Sequence, residues 1–117
     1  FADAEAGATG LELLLSLALK WQSESSDKKL TLAKALASIT SKPAKILEAN
    51  LGAEYASLGQ LVVGGVADLC IFDPKAAWTV SSSSLRSQGK HTPFFSYELP
   101  GKVVATLVAG HVAFEAK

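Results

Sequence analysis

The sequence has no methionine, a single cysteine and no excess of charge of either sign. Because its 117 residues begin at Phe1 without an initiator methionine, we expect the chain to be the C-terminal piece of a larger protein. An excised signal peptide would leave a similar start. The one thiol, Cys70, excludes an internal disulfide and suits a reducing, cytoplasmic setting. It lies in an apolar strand pattern, so we predict a buried, inert thiol and not a nucleophile.

The charges balance, with 11 lysine and arginine residues against 11 aspartate and glutamate residues. Without a basic stripe to neutralise phosphates, nucleic acid is not expected as a partner. The longest apolar run, Leu13 to Leu19, is interrupted by Ser16 and is far too short to span a bilayer. With 49% hydrophobic and 19% charged residues, the chain is expected to fold and not to be disordered.

Apolar residues at spacings of three and four predict a helix near the start of the chain. Thr9 and Glu12 have the spacing of a capping box, in which each side chain binds the backbone amide of the other residue. We expect one apolar face to pack on later helices, with Leu15 well buried. This face consists of Leu11, Leu14, Leu15, Ala18 and Leu19. The polar residues from Gln22 to Asp27 should end the helix.

Two more helices are predicted before residue 52. One begins near Thr31, and the next follows Ser41-Lys42-Pro43, where a proline in the first turn costs no hydrogen bond. The second of these helices should end at Asn50-Leu51-Gly52. The first helix is expected to pack against four apolar residues of these helices: Leu32, Leu36, Ile39 and Leu47.

From residue 58 the hydrophobic pattern changes to that of strands. The predicted strands are 59–65, 67–72 closed by Asp73-Pro74, 78–80, 103–108 and 112–114, the last two forming a hairpin. Helices followed by strands, without βαβ alternation, predict an α+β arrangement. Because these strands are few and short, we expect the remaining strands of the sheet to come from outside this chain.

Few residues in the chain suggest chemistry. His91 and His111 lack further ligands at metal-binding spacing, so surface or hydrogen-bonding roles are favoured. The run Ser81–Ser84 has no base or nucleophile elbow beside it and is expected to be a solvated loop. Asp68 and Asp73 flank a strand-turn unit, where a carboxylate usually accepts hydrogen bonds from turn amides. The sequence therefore predicts no catalytic or metal-binding residue within the chain.

The glycine-rich start, residues 5–10, is the exception. Exposed glycine amides just before a helix can receive an anionic group such as a carboxylate, with help from the helix dipole. A plain loop leading into a capped helix is the simpler interpretation, and the residues alone favour it. Both interpretations stay open on the residues alone.

Residues 59–73 resemble a recurrent element of the amidohydrolase superfamily, with the pattern G-x-(I/L)-x-x-G-x-x-A-D-L-x-x-x-D. In that superfamily the element follows the last barrel helices and begins the return into a small β-sandwich. Ser41 to Leu47 is similar to the helix that precedes the element. Hydantoinases and allantoinases share this element with dihydroorotases.

Two further stretches are similar to dihydroorotases in particular. Thr92-Pro93-Phe94, followed by residues 101–110, resembles the ending of that family. Residues 1–12, ending in Gly10-Leu11-Glu12, resemble the glycine-rich loop after its last barrel strand. The resemblance spans residues 1–115, and hydantoinases and allantoinases match its last part less well.

The resemblance implies an α+β fragment of a (β/α)8 amidohydrolase. Residues 1–57 would be the last helices of the barrel, and residues 58–117 the C-terminal part of the small β-sandwich. The implied parent is a zinc enzyme of pyrimidine biosynthesis that opens or closes the cyclic amide of dihydroorotate. The family's metal ligands lie upstream, so this segment alone is expected to hold no cofactor and to be inactive. Ala6 and Gly7 match the family's substrate-binding positions.

Three positions depart from the family pattern. Glu5 and Ala6 stand where proline and phenylalanine are usual, and His91 stands where asparagine is common. A non-catalytic dihydroorotase-like subunit that supports aspartate carbamoyltransferase is therefore a second hypothesis. An independent small α+β binding module is a third. The expected partners are the N-terminal portion of the same protein and, through unpaired strand edges, further copies of the chain.

Overall fold

The computed structural model describes residues 7–51 and 57–116, and this part of the chain contains three α-helices and one three-stranded sheet. A 3₁₀ turn, Leu11–Leu13, leads directly into the first helix. The helices are α1 (Leu14–Glu24), α2 (Leu32–Ile39) and α3 (Ser41–Leu51). The strands are β1 (Leu69–Thr79), β2 (Glu98–Val108) and β3 (His111–Glu115), antiparallel in the order β1-β2-β3. This arrangement confirms the predicted α+β class.

Helices α2 and α3 begin where the sequence predicts. The Thr31 hydroxyl accepts a hydrogen bond from the Lys34 amide at 3.3 Å, which satisfies one of the free amides at the start of α2. Pro43 lies in the first turn of α3, where its missing N–H is not needed. The Ala44 amide then bonds to the Thr40 carbonyl at 3.1 Å and continues the helical pattern.

The predicted apolar face of the first helix is partly wrong. Leu11 is 86% exposed and Leu14 is 46% exposed, and Leu15 is only half-buried. The buried residues are instead Leu13, Ser16, Ala18 and Leu19. Helix α1 packs on β2 as well as on α2, so its buried face is not that of a helix packed on helices alone. Consistent with this, the predicted helical partners Leu32 and Leu47 are also exposed.

The strand predictions require two corrections. Residues 59–65 do not form a strand, because Gly59 and Gly64 have φ values of 68° and 84°, and the Gly65 amide closes a turn on the Val62 carbonyl. The predicted strands 67–72 and 78–80 belong to one strand, β1. Asp73-Pro74 does not end it, since the pairing with β2 resumes at Ala77 after an irregularity. A proline is tolerated at such a bulge in a strand.

The hairpin between β2 and β3 is confirmed. Ala109 and Gly110 have φ values of 49° and 82°, so both central turn residues are left-handed, as in the tight turns that match strand twist. The Asp68 carboxylate accepts a hydrogen bond from the Ala109 amide at 2.7 Å. Ala67 contributes its carbonyl to the Gly110 amide at 3.0 Å. The Ala-Asp pair of the superfamily-like element therefore holds the turn, as predicted for Asp68.

The core lies between the start of the helical region and the β1–β2 end of the sheet. Leu13, Val80, Leu85 and Leu99 form it, and Leu17, Trp78 and Phe94 pack against it. Two linked hydrogen bonds lie at the edge of this core. The Trp78 indole donates to the Ser16 hydroxyl at 3.1 Å, and that hydroxyl donates to the Gly101 carbonyl at 3.0 Å. None of the described helices has the length and hydropathy needed to cross a membrane.

Candidate functional site

The glycine-rich loop before the 3₁₀ turn contains the two residues predicted to bind substrate. Ala6 lies outside the described residues, so its prediction stays untested. Gly7 is exposed and has a φ of 128°, a conformation that L side chains rarely adopt. Among the described residues, a Cβ at this position would meet no atom within 4 Å. Glycine is therefore required at position 7 by backbone conformation, and the space beside it is open.

The loop is fixed to a segment more than 75 residues later in the chain. The Thr9 amide donates to the His91 carbonyl at 2.7 Å. Gly89 lies so close that a Cβ there would be 2.9 Å from the Thr9 hydroxyl oxygen. The segment 86–91 therefore lies directly against the chain that leads into α1.

Glu12 makes the second connection, and the predicted capping box is wrong. Its two carboxylate oxygens accept hydrogen bonds from the Arg86 and Ser87 amides, at 2.7 and 2.8 Å. The helical region begins at Leu11 with Gly10 as its N-cap, so Glu12 is the second helical residue and not the third. The Thr9 amide, which the capping box would have used, is already bonded to His91.

The surroundings of Glu12 favour its charged form. Partial burial acts to raise the pKa of the carboxyl, but hydrogen bonds from the Ser87 hydroxyl and from the Arg86 and Ser87 amides lower it, as does the charge of Lys90. The lowering effects prevail, and the pKa of Glu12 lies below its ordinary value. At neutral pH the Glu12 side chain is therefore a carboxylate that accepts charge-assisted hydrogen bonds from the Arg86 and Ser87 amides. We call this arrangement the clamp.

The other candidate residues do not form a reactive group. His91 and His111 are exposed, and the described residues contain no cluster of three or more histidine, cysteine, aspartate or glutamate side chains that could hold a metal. The serines 82–84 are exposed, as expected of a solvated loop. Asp73 accepts a hydrogen bond from the Lys75 amide at 2.9 Å, which confirms the predicted role in a turn.

Cys70 is exposed, so the prediction of a buried thiol is wrong. The cause is its place on β1, which is an edge of the sheet among the described residues. Partial shielding from water nevertheless raises the pKa of the thiol, against a hydrogen bond with Thr106 that lowers it. The thiol form prevails at neutral pH, so the residue is not an activated nucleophile.

Sequence comparison gives one consistent result along nearly the whole chain. The chain is 38% identical over 115 residues to a dihydroorotase of Syntrophus aciditrophicus, a match that covers 98% of the chain and 25% of the relative. It is 41% identical over 112 residues to a dihydroorotase-like protein of Pseudomonas putida, covering 96% of the chain and 24% of that protein. No protein-family profile matches the chain.

The chain is therefore similar, over nearly all of its length, to proteins named dihydroorotase. It spans about a quarter of the length of the curated relatives that it matches. The fold agrees with the wider amidohydrolase superfamily: a D-hydantoinase structure superposes with a TM-score of 0.78 and 20% sequence identity, over 95% of this chain and 22% of that one. The resemblance seen in the sequence motifs is thereby confirmed.

A cleft of about 640 Å³ lies beside the clamp, between α1 and the sheet. Arg86 and Lys102 line the cleft. The central guanidinium carbon of Arg86 lies over the Phe114 ring, 5.7 Å from its centroid. The lining contains no histidine or cysteine, and its one carboxylate, Glu12, is bonded to backbone amides. The cleft therefore offers surfaces for packing or binding, and its one carboxylate is already occupied by backbone amides.

Acidification is expected to remove the stabilisation that Glu12 provides. A carboxyl with a lowered pKa in the folded state stabilises the fold above its unfolded pKa, near 4.5, and the effect is lost as the pH falls through the folded pKa. Because the site is partly open to solvent, we expect Glu12→Gln to lower the free energy of unfolding at pH 7 by about 1 kcal/mol. Below the folded pKa the difference should vanish. Urea unfolding of both proteins at pH 7 and at successively lower pH, down to the point where the carboxyl is protonated in the folded state, measures it. A difference that persists unchanged in acid would exclude a role for the charge.

Proposed function

We propose that the protein carrying this chain is a zinc-dependent cyclic amidohydrolase that interconverts dihydroorotate and carbamoyl aspartate. The observation that carries the proposal is the Gly7 loop: an exposed backbone segment with an obligatory glycine, fixed by hydrogen bonds to three distant residues, in a chain similar to dihydroorotases. Dihydroorotate bears a carboxylate, and open backbone amides just before a helix suit such a group. The proposal places this protein in pyrimidine biosynthesis in the cytoplasm.

Within the proposed enzyme, this chain binds and orients the substrate and does not carry out the chemistry. The described residues do not fit a zinc site, since they offer no group of three ligands. We propose that any zinc is held by the part of the protein that this chain does not span, as the family resemblance implies. The contribution of Ala6 and Gly7 is to present backbone groups to the substrate in a fixed geometry.

The N-terminal portion of the same protein is the proposed main partner. Large apolar side chains that a folded protein would bury are open to solvent on α3 and in the turn region after it, among them Ile46 at 67% and Leu61 at 87% exposure. Such a surface marks an interaction site. Sheet edges at β1 and β3, unpaired among the described residues, support association with further copies of the protein as well.

A second candidate function is that of a non-catalytic subunit. Relatives named dihydroorotase-like protein, from Pseudomonas putida and Pseudomonas aeruginosa, are 41% and 39% identical to the chain, no less than the relatives named dihydroorotase. In this alternative the same loop is present but the protein turns over no cyclic amide and instead supports aspartate carbamoyltransferase. Activity of the full-length protein separates the two candidates.

The binding role of the loop predicts a selective kinetic defect in the full-length protein. Gly7→Ala forces a side chain into a disfavoured φ without any clash, so only the loop conformation should change. We expect the KM for dihydroorotate to rise about tenfold, from roughly 1–3 kcal/mol of backbone strain. Gly64→Ala is the matched control, because Gly64 also has a positive φ and open space around it but lies in a different turn. Equal KM values in the two variants would remove Gly7 from the substrate site.

A further inference from the structure

The contacts of Glu12 and Thr9 join two parts of the chain that are far apart in sequence. One is the glycine-rich loop with the start of the helical region. The other is the segment 86–91, next to the Thr92-Pro93-Phe94 motif that resembles dihydroorotases but has no assigned role. Three hydrogen bonds connect them: Thr9 to His91, and Glu12 to the Arg86 and Ser87 amides.

The segment that receives these bonds is itself held firmly. On one side of it, Leu85 is 3% exposed and belongs to the core cluster. On the other side, Thr92 is buried and Phe94 packs against the same core. Lys90 closes the segment internally by donating from its ammonium group to the Leu85 carbonyl at 2.7 Å. The amides of Arg86 and Ser87 are thus held in place by residues anchored in the core. They can therefore restrain a less constrained segment that forms hydrogen bonds with them.

The glycine-rich loop is the less constrained partner. Gly7 and Ala8 are exposed, and a Cβ at Gly7 or Gly10 would touch no neighbouring atom. Gly10, as the N-cap, provides no side chain to fix the helix start. In this region the hydrogen bonds of Thr9 and Glu12 are the described contacts that tie the loop to the core through the segment 86–91.

We propose that Glu12 is a positioning residue for substrate binding, which holds the Gly7–Gly10 loop in its binding geometry by clamping the Arg86 and Ser87 amides. The inference rests on the proposed function, because the loop is taken as the substrate-binding element. Glu12 does not touch the substrate; it acts through the loop. Loss of the clamp lets the loop sample other conformations, which lowers the fraction competent to bind. The Thr92-Pro93-Phe94 motif then has a role, which is to anchor the receiving segment to the core.

The test uses the full-length protein with three single variants. Glu12→Ala removes the clamp, and Glu12→Gln keeps one acceptor oxygen and the side-chain shape. Glu24→Gln is the control, since Glu24 is a carboxylate at the far end of α1 and forms an exposed ion pair with Lys20. Two quantities are measured: steady-state kinetics with dihydroorotate, and amide hydrogen exchange at Thr9, Arg86 and Ser87. Matching circular dichroism spectra confirm that a variant is folded, and Glu12→Gln is used in its place if Glu12→Ala does not fold.

We expect Glu12→Ala to raise the KM about tenfold with a smaller change in kcat, and to speed exchange at all three amides by a similar factor. Glu12→Gln should give an intermediate result, and Glu24→Gln should match the wild type in both measurements. Faster exchange at Arg86 and Ser87 with an unchanged KM would overturn the proposal, leaving Glu12 a purely structural residue. Unchanged exchange at Thr9 would also overturn it, because the loop would not depend on the clamp. If the wild-type protein turns over no cyclic amide, the proposed function fails, and exchange at Thr9 still decides whether the clamp holds the loop.

Discussion

Replacing Leu13 with alanine is expected to lower the free energy of unfolding by about 2–5 kcal/mol. Leu13 is fully buried and packs in the cluster with Val80, Leu85 and Leu99, which joins the helical region to the sheet. Removing its side chain takes away buried apolar surface and leaves a cavity where residues distant in sequence meet. Because the cluster also supports the segment that receives Glu12, the loss should loosen the loop as well.

Leu11→Ala is the matched control for this prediction. Leu11 lies in the same 3₁₀ turn, two residues earlier, but is 86% exposed. Its replacement should change the stability by less than about 0.5 kcal/mol, as is usual for surface sites. Equilibrium unfolding in urea, with the slope compared between variants, gives both values. Equal losses for the two leucines would show that the helix is rotated from the arrangement described above.

Gly101→Ala is the second change expected to have a large effect, about 2–4 kcal/mol from backbone strain and overpacking together. Gly101 is buried and has a φ of 85°, and a Cβ there would lie 2.3 Å from a methyl carbon of Leu19. Its carbonyl also accepts the hydrogen bond from Ser16. A shift of the backbone would therefore disturb the two hydrogen bonds that link Trp78, Ser16 and Gly101. Helix α1 and the sheet would be pushed apart at their contact.

Gly110→Ala separates the two causes. Gly110 has nearly the same φ, 82°, but its added Cβ would only touch Ala67 at 4.0 Å. Strain alone should therefore cost about 1–2 kcal/mol at this position. Thermal or urea unfolding of both variants measures the difference, which reports the clash with Leu19. If Gly101→Ala were no more destabilising than Gly110→Ala, the close approach of α1 to β2 would be contradicted.

Local signals in the sequence were sufficient for several elements of the fold. Three local features are found where they were expected: the start of α2 near Thr31, the proline in the first turn of α3 and the turn between β2 and β3. The sequence also predicted that the Asp68 carboxylate would accept a hydrogen bond from a turn amide. Its actual partner, the amide of Ala109, lies 41 residues away and is brought close by the pairing of β1 with β2.

The failed predictions share a physical cause, which is that distant contacts outweigh local patterns. Thr9 and Glu12 have the spacing of a capping box, yet both are engaged by the segment 86–91. The leucine pattern indicates a helix but not the side on which the sheet packs, so Leu13 replaces Leu11 and Leu14 in the core. At 59–65 the apolar valines suggest a strand, but left-handed glycines on either side impose turns.

For the candidate site, the family-like motifs indicated which segments matter but not how they meet. The prediction that Gly7 binds substrate rests on its position in the glycine-rich loop and stays a prediction. Glu12 was assigned only to the helix start, and nothing in the sequence relates it to Arg86 and Ser87. The one usable signal is the Thr92-Pro93-Phe94 motif, which lies directly after the segment that holds Glu12.

The central claim is that this chain provides the substrate-binding loop of a cyclic amidohydrolase whose chemistry lies in the rest of the protein. The most direct measurement is turnover of dihydroorotate, hydantoin and allantoin by the zinc-loaded full-length protein and by the 117-residue chain alone. We predict that the full-length protein interconverts dihydroorotate and carbamoyl aspartate, acts poorly on the other two compounds, and that the chain alone is inactive. Zinc-dependent turnover by the isolated chain, or no turnover of any cyclic amide by the full-length protein, would contradict the account.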